Sequence, residues 1–213
     1  MTGTITETNT NTNTGTKNNL FLIRHGHTEG TSQKIFYGST DLALTKDGAQ
    51  EIRELRDQGI YPPADHACLY TTGMLRTEQT FRLIFGEQPH GTIPELREIN
   101  TGELEMAPLE KVMEHEPSRR WFNGETNRFD FPGGDSTETF TRRILKGSDK
   151  LMGIMKNAPG RDTVLVCHGG VISALMELYF SGLRNDTWKW LPEPGHGYEI
   201  TFRDLSPVDY TRI

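Results

Sequence analysis

The hydrophobic pattern of this chain is a set of short apolar blocks separated by longer amphipathic stretches. Leu20-Phe21-Leu22-Ile23 is too brief for a helix and reads as a buried strand, opening onto Arg24-His25-Gly26-His27-Thr28. Thr163-Val164-Leu165-Val166-Cys167 is a second such block. It ends in His168-Gly169-Gly170 and runs into an apolar helical stretch, Val171 to Phe180, closed by Ser181-Gly182. Between them, Thr45 reads as an N-cap with Asp47 in the first turn, Ile52 and Leu55 on one face, and Gly59 at the stop. Ala67 to Tyr70 predicts a strand, and Thr71-Thr72-Gly73 leads into a helix over Met74 to Phe85. Thr92-Ile93 begins another short strand, and a short helix is expected near Pro108 to His115. Ser136 with Glu138 opens a long helix ending near Asn157-Ala158-Pro159-Gly160. Tyr198 to Phe202 alternates like a last strand, with the C-terminus as a further edge. Strands alternating with helices in this way predict an α/β fold. It is expected as a three-layer α/β/α sandwich on a mainly parallel mixed sheet.

Residues 1–18 are rich in Thr and Asn and nearly without apolar groups, so a mobile N-terminal tail is expected there. Residues 19–213 read as one domain, with 103–134 as an irregular, aromatic-rich cap. A length of 213 residues suffices for one large core, and a net charge of -6 argues against a nucleic-acid or membrane-surface binder. No apolar run approaches the roughly 20 residues of a membrane span. The N-terminus lacks a signal-peptide core, and Cys68 and Cys167 sit in apolar contexts. A cytoplasmic protein with buried free thiols is the expectation.

The chemistry gathers where strands end. In open α/β sheets, ligands bind beyond the carboxyl ends of the strands, and two strands here end in histidine followed by glycine. Arg24, His25, Arg76, Glu98 and His168 form a set suited to phosphoryl transfer. That reaction needs an in-line nucleophile, positive groups on the equatorial oxygens and a proton for the leaving oxygen. His25 qualifies as nucleophile if its ring is neutral, a state that two nearby arginines favour. Arg76 sits in the first turn of its helix, against the macrodipole, which suggests a task beyond solvation. Spacing alone leaves open whether the five converge. Other readings are weaker. His25-x-His27 lacks a third metal ligand at a recognisable spacing, and Cys167 alternates away from its neighbour His168. Gly133-Gly134 reads as a turn and His196 as a loop residue. Trp121 to Phe131 read as core or lid packing, and Arg119-Arg120 as a solvated turn after Pro117. Neither metal nor cofactor is expected.

Several blocks, in order, resemble the histidine phosphatase superfamily, the phosphoglycerate mutase-like proteins. They are Leu22-Ile23-Arg24-His25-Gly26-x-Thr28, Tyr37-Gly38-x-x-Asp41-Leu42-x-Leu44-Thr45, Tyr70-Thr71-Thr72 with Arg76, Leu96-Arg97-Glu98 with Gly102, and Val166-x-His168-Gly169-Gly170. The resemblance implies a phosphoglycerate mutase-like fold, His25 as the phospho-accepting nucleophile, Glu98 as proton donor and His168 as a third catalytic residue. It implies phosphate binding at Arg24, Arg76 and Gly169, and substrate contact at Thr31, Tyr37 and Gly38. The Tyr-Gly-x-x-Asp-Leu-x-Leu-Thr block looks like α-ribazole phosphatase relatives, though broad-specificity members share it. The chain departs from the family at His27, Thr31 and Asp135. A tryptophan-glutamate-glycine run commonly follows the glycine matching Gly102, whereas here the sequence reads Glu103-Leu104-Glu105-Met106. The implied activity is a histidine acid phosphatase-type hydrolysis of a small phosphorylated metabolite. A cofactor-dependent mutase and a non-catalytic phosphate-sensing module are the alternatives. Whether the chain forms a homodimer stays open.

Overall fold

The computed structural model of the chain describes residues 15–181 and 187–213. Its central strand, β1 (Lys17–Arg24), has Leu20 and Leu22 on one face of the sheet and Phe21 and Ile23 on the other. After β1 come α1 (Glu29–Ser32), β2 (Ile35–Phe36), α2 (Lys46–Asp57), β3 (Cys68–Thr71), α3 (Leu75–Phe85) and β4 (Gly91–Thr92). The chain continues through β5 (Ala107–Pro108), α4 (Leu109–Glu114), α5 (Glu116–Phe122), α6 (Thr137–Asn157), β6 (Thr163–Cys167) and α7 (Gly169–Met176). It ends in β7 (Gly197–Arg203) and β8 (Ser206–Arg212). β6 lies parallel beside β1 with Cys167 opposite Arg24, and β3 lies parallel on its other edge. The sheet order β4-β3-β6-β1-β7-β8 is completed by two antiparallel strands, β7 and β8, so it is mainly parallel and mixed.

Every residue of β6 is buried, as a strand covered on both faces must be. Ile52 of α2 and Phe81 and Ile84 of α3 pack with Phe21, Ile23, Val164 and Val166. On the opposite face, Phe140, Ile144, Leu151 and Met155 of α6 join Val171, Ile172 and Leu175 of α7 against Leu20, Leu22 and Leu165. Helix, sheet and helix make the three layers. Thr45 caps α2 by accepting from Gly48 N–H, and Ser136 forms a reciprocal capping box with Thr139 at the start of α6. Cys68 and Cys167 are both free, and burial pushes the Cys167 thiol well up. Among the described residues, no helix is long and apolar enough to cross a membrane.

The structure departs from the sequence expectations at several points. β1 begins at Lys17, inside the stretch expected as tail, because the Asn18 side chain donates to Ala158 O at 3.1 Å and Arg161 O at 2.9 Å. Residues 1–14 of that expected tail, and Gly182, lie outside the described residues. Residues 29–40, a stretch whose polar sequence reads as a loop, contain α1, capped by Thr28, and then β2, which pairs with β5 as a small antiparallel ribbon. The last sheet-bound helix leaves α geometry after Met176 and continues as a π-helical turn over Glu177–Ser181.

Candidate active site

Because β1 and β6 are adjacent and parallel, each delivers a histidine just past its carboxyl end. The rings of His25 and His168 meet edge-on with centroids 5.3 Å apart, at 3% and 0% exposure. Arg76, fully buried in the first turn of α3, directs Nε–H at Nε2 of His25 across 3.2 Å. A guanidinium can only donate, so Nε2 carries the ring's lone pair and Nδ1–H donates to Gly26 O at 2.8 Å. Burial, reinforced by the Arg76 and Arg24 charges, holds His25 well below the usual imidazole range. Burial likewise depresses His168, with Arg76 and His25 adding to it. Its Nε2 lies 2.8 Å from Thr72 Oγ1, and its Nδ1 has no partner among the described residues.

The remaining Arg76 donors go to Thr40 O at 2.9 Å and Gly38 O at 2.7 Å, which fixes the guanidinium plane. Gly38 packs so closely that a Cβ there would lie 1.6 Å from Ile99 O. This loop is held from below by Glu105. Its carboxylate accepts from the N–H groups of Gly38, Ser39, Thr40 and Thr101 and from the Thr40 and Thr101 hydroxyls, at 2.7–3.1 Å. Burial alone would raise the Glu105 pKa. The hydrogen bonds from Thr40 and Thr101 outweigh it and hold the carboxyl at about 2.

Arg24 donates through Nη1 to Pro192 O at 2.6 Å, while its buried Nε has no partner among the described residues. Glu98 accepts from Ile99 N–H at 3.0 Å and from Gly170 N–H, at the start of α7, at 3.1 Å. A Cβ on Gly170 would come within 2.6 Å of Glu98 Oε1, so a larger residue there would push the carboxylate from this position. The Glu98 segment is fixed from α6. Arg143 donates to the carbonyls of Glu95, Arg97 and Glu98 and to Asp135 at 2.8 Å, and Asp135 accepts from Asn100 N–H at 2.9 Å.

These groups surround a cavity of about 280 Å³. Arg24, His25, Thr31, Tyr37, Arg76, Glu98 and Gly169 line it; the His168 ring packs edge-on beside His25, and Gly38 acts through Arg76. Tyr37 Oη bonds Thr28 Oγ1 at 2.5 Å and Thr31 Oγ1 at 3.0 Å, and Arg76 lies 5.3 Å from the centre of its ring. All nine sequence-derived residues therefore fall in one neighbourhood. His27 instead faces Glu51 at 3.6 Å, and the His196 ring bonds Ile213 O at 3.1 Å. Sequence reasoning missed Thr72, Glu105, Arg143, and Lys34 on the cavity wall. One signal for Glu105 was present. It stands where the tryptophan-glutamate-glycine run carries its glutamate, and Met106 takes the left-handed φ of 62° that a glycine would favour.

Neutral imidazoles, two guanidiniums and a carboxyl group around one small cavity can receive a dianion and exchange a proton with it. The class these features define is a three-layer α/β protein with a paired-histidine, paired-arginine site at the carboxyl ends of its central strands. The Histidine phosphatase superfamily (branch 1) model matches residues 20–207, and the chain belongs to that superfamily. It is similar to the probable phosphoglycerate mutase GpmB of Yersinia enterocolitica, 29% identical over 164 residues covering 74% of this chain and 72% of that one. It is also similar to the 2,3-bisphosphoglycerate-dependent phosphoglycerate mutase of Bradyrhizobium diazoefficiens, 26% identical over 74% of this chain and 78% of the other. The α-ribazole phosphatase of Shigella flexneri shares the fold, with a TM-score of 0.75 and 22% identity over 89% of this chain and 93% of that one.

Proposed function

We propose that this protein is a phosphatase that hydrolyses a small phosphate monoester through a phosphohistidine at His25. The observation that carries this reading is the unprotonated Nε2 of His25, set between two arginines. Nε2 attacks phosphorus in line, the ester P–O bond breaks, and Glu98 in its acid form gives its proton to the leaving oxygen. Arg24, Arg76 and His168 hold the phosphoryl oxygens, with the Gly169 N-terminus of α7 beside them. Glu98, now a carboxylate, takes a proton from water, whose oxygen attacks the phosphohistidine and frees inorganic phosphate.

Hydrolysis is favoured over a mutase reaction by the character of the outer wall. Beyond the phosphoryl end, the cavity is faced by Ile35, Phe36, Leu109, Trp121 and Phe122, with Lys34 the one further cation among the described residues. A mutase has to hold a second anionic group while its bisphosphate turns over, and an apolar wall does not favour that. Arg120 is paired outward with Glu125 at 3.6 Å. Alkaline quench of the protein with phosphorus-labelled p-nitrophenyl phosphate should trap label on His25, and His25→Ala should lose both label and turnover. Turnover retained without label would sink the assignment, and absence of any turnover would favour a phosphate-sensing module. Supplying 3-phosphoglycerate with catalytic 2,3-bisphosphoglycerate tests the mutase alternative. Interconversion to 2-phosphoglycerate faster than phosphate release would replace the phosphatase reading.

A further inference from the structure

The cavity around His25 has two unlike ends. Arg24, His25, Arg76 and Glu98 make the inner one, and Ile35, Phe36 and Leu109 face the outer one. The β2–β5 ribbon assembles that outer wall. Ile35 pairs with Pro108, and the next residue, Leu109, donates its N–H to Lys34 O at 3.1 Å. Leu191 carries the apolar wall up to the phosphoryl end, since a Cβ on Gly169 would lie 2.6 Å from Leu191 Cδ1 and 3.1 Å from Arg24 Nε. A methyl group and a guanidinium thus stand side by side at Gly169. Leu191 is 38% exposed, so core packing does not account for its place. Apolar side chains left open around a concave site mark a ligand surface.

We infer that the outer end takes the alcohol portion of the substrate, and that this portion is apolar. The substrate class is then the phosphate monoesters of uncharged aliphatic or aromatic alcohols, in preference to sugar or glycerate phosphates; this deepens, and rests on, the phosphatase reading. The polar groups on the wall do not call for a polyol. Tyr37 Oη bonds Thr28 Oγ1 at 2.5 Å and Thr31 Oγ1 at 3.0 Å, and Thr28 and Thr31 meet at 3.2 Å, so these hydroxyls close on one another. Ser173 follows Gly169 by four residues on the same face of α7 and so belongs to the phosphoryl end. Lys34 is exposed, which leaves its ammonium in water while its stem extends the apolar wall. Sugar hydroxyls set against Ile35 and Leu109 would leave water without finding partners, whereas a hydrocarbon group gains by leaving it.

The test is a chain-length series of straight-chain alkyl phosphates, from ethyl to hexyl, alongside p-nitrophenyl phosphate. These alcohols leave equally well, so binding of the chain sets the slope. In the wild-type protein kcat/KM should rise about threefold for each added methylene until the cavity is filled. Glycerol 3-phosphate, which is propyl phosphate with two further hydroxyls, should fall roughly tenfold below propyl phosphate. Leu109→Asn and Leu191→Asn should each flatten the rise. A flat series in the wild-type protein, or glycerol 3-phosphate matching propyl phosphate, with p-nitrophenyl phosphate still turned over, would overturn the apolar subsite and leave the phosphatase reading standing. A slope unchanged in both variants would overturn it too. Should no ester turn over, the phosphatase reading falls, and alkyl phosphonates, which cannot be hydrolysed, decide the subsite by binding. Affinity climbing with chain length would sustain the apolar wall as a ligand surface, and constant affinity would bring it down.

Discussion

Arg76 Nε and His25 Nε2 face each other across 3.2 Å with the single proton between them belonging to the arginine. The guanidinium thus occupies the ring's lone pair in the free protein, and in the proposed reaction substrate would have to draw that donor onto a phosphoryl oxygen before attack. On that reading Arg76 is both placeholder and phosphate ligand. Arg76→Lys keeps a charge but loses the fixed plane that also bonds Gly38 O and Thr40 O. It should lower kcat/KM on p-nitrophenyl phosphate and on alkyl phosphates alike, by roughly 10²-fold. A loss confined to one ester type would contradict this role.

The depressed imidazoles set a pH dependence. In the unfolded chain His25 and His168 titrate near 6.5, whereas in the folded protein both stay neutral well below that. As pH falls through 6.5 the unfolded state therefore binds protons that the folded state refuses, and stability drops until the folded pKa values are reached. Melting temperature should decline between pH 7 and 5, and a His25→Gln, His168→Gln double variant should show a flatter profile. An unchanged slope in that variant would mean other groups dominate.

Glu98→Gln retains an acceptor but has no proton to give. Alkyl phosphates, whose leaving oxygen needs protonation, should lose roughly 10²–10⁴-fold in kcat, and p-nitrophenyl phosphate far less. Equal losses on both would point to a purely structural carboxylate.

Glu105 is expected to control the site without touching substrate. Glu105→Ala removes the acceptor for the Gly38–Thr40 and Thr101 donors and frees the loop whose carbonyls orient Arg76. The variant should lose roughly 2–3 kcal/mol of stability and about 10²-fold in kcat/KM, read by chemical denaturation and by kinetics. The sign with pH follows from its lowered pKa of about 2. The carboxylate's stabilisation is present above about 4.5 and is lost as pH falls from there towards 2, a window the variant should not show.

Asp135 and Arg143 fix Glu98 from behind, so Asp135→Asn should lower kcat on alkyl phosphates by roughly tenfold while KM moves little. Asp135→Glu, which keeps the carboxylate, should restore most of it. A KM effect as large as the kcat effect would argue against positioning of the proton donor.

Much of this was legible along the chain because the informative elements are local. β1, β3 and β6 announce themselves as apolar blocks, and the residues at their ends are the ones the cavity gathers. Most of what escaped notice lacks a local signature. The β2–β5 ribbon joins strands of two residues each, too short for any period, and α5 sits among aromatics that read equally well as loop. Glu105 looked like one more acid in an acidic stretch because its partners are backbone N–H groups distant in sequence. The same holds for Arg143, which satisfies three carbonyls that no side-chain pattern reveals.

The β1–β6 pairing has a consequence for how the molecule comes to be active. His25 enters near the start of the chain and His168 near its end, and only the register that sets Arg24 opposite Cys167 makes them neighbours. A pairing between strands so distant in sequence carries a high loop-closure cost, so that register is expected to close late. During refolding, regained turnover should therefore lag behind regained helix content and coincide with the slowest phase. Turnover, on the proposed function, would double as a readout of completed chain closure.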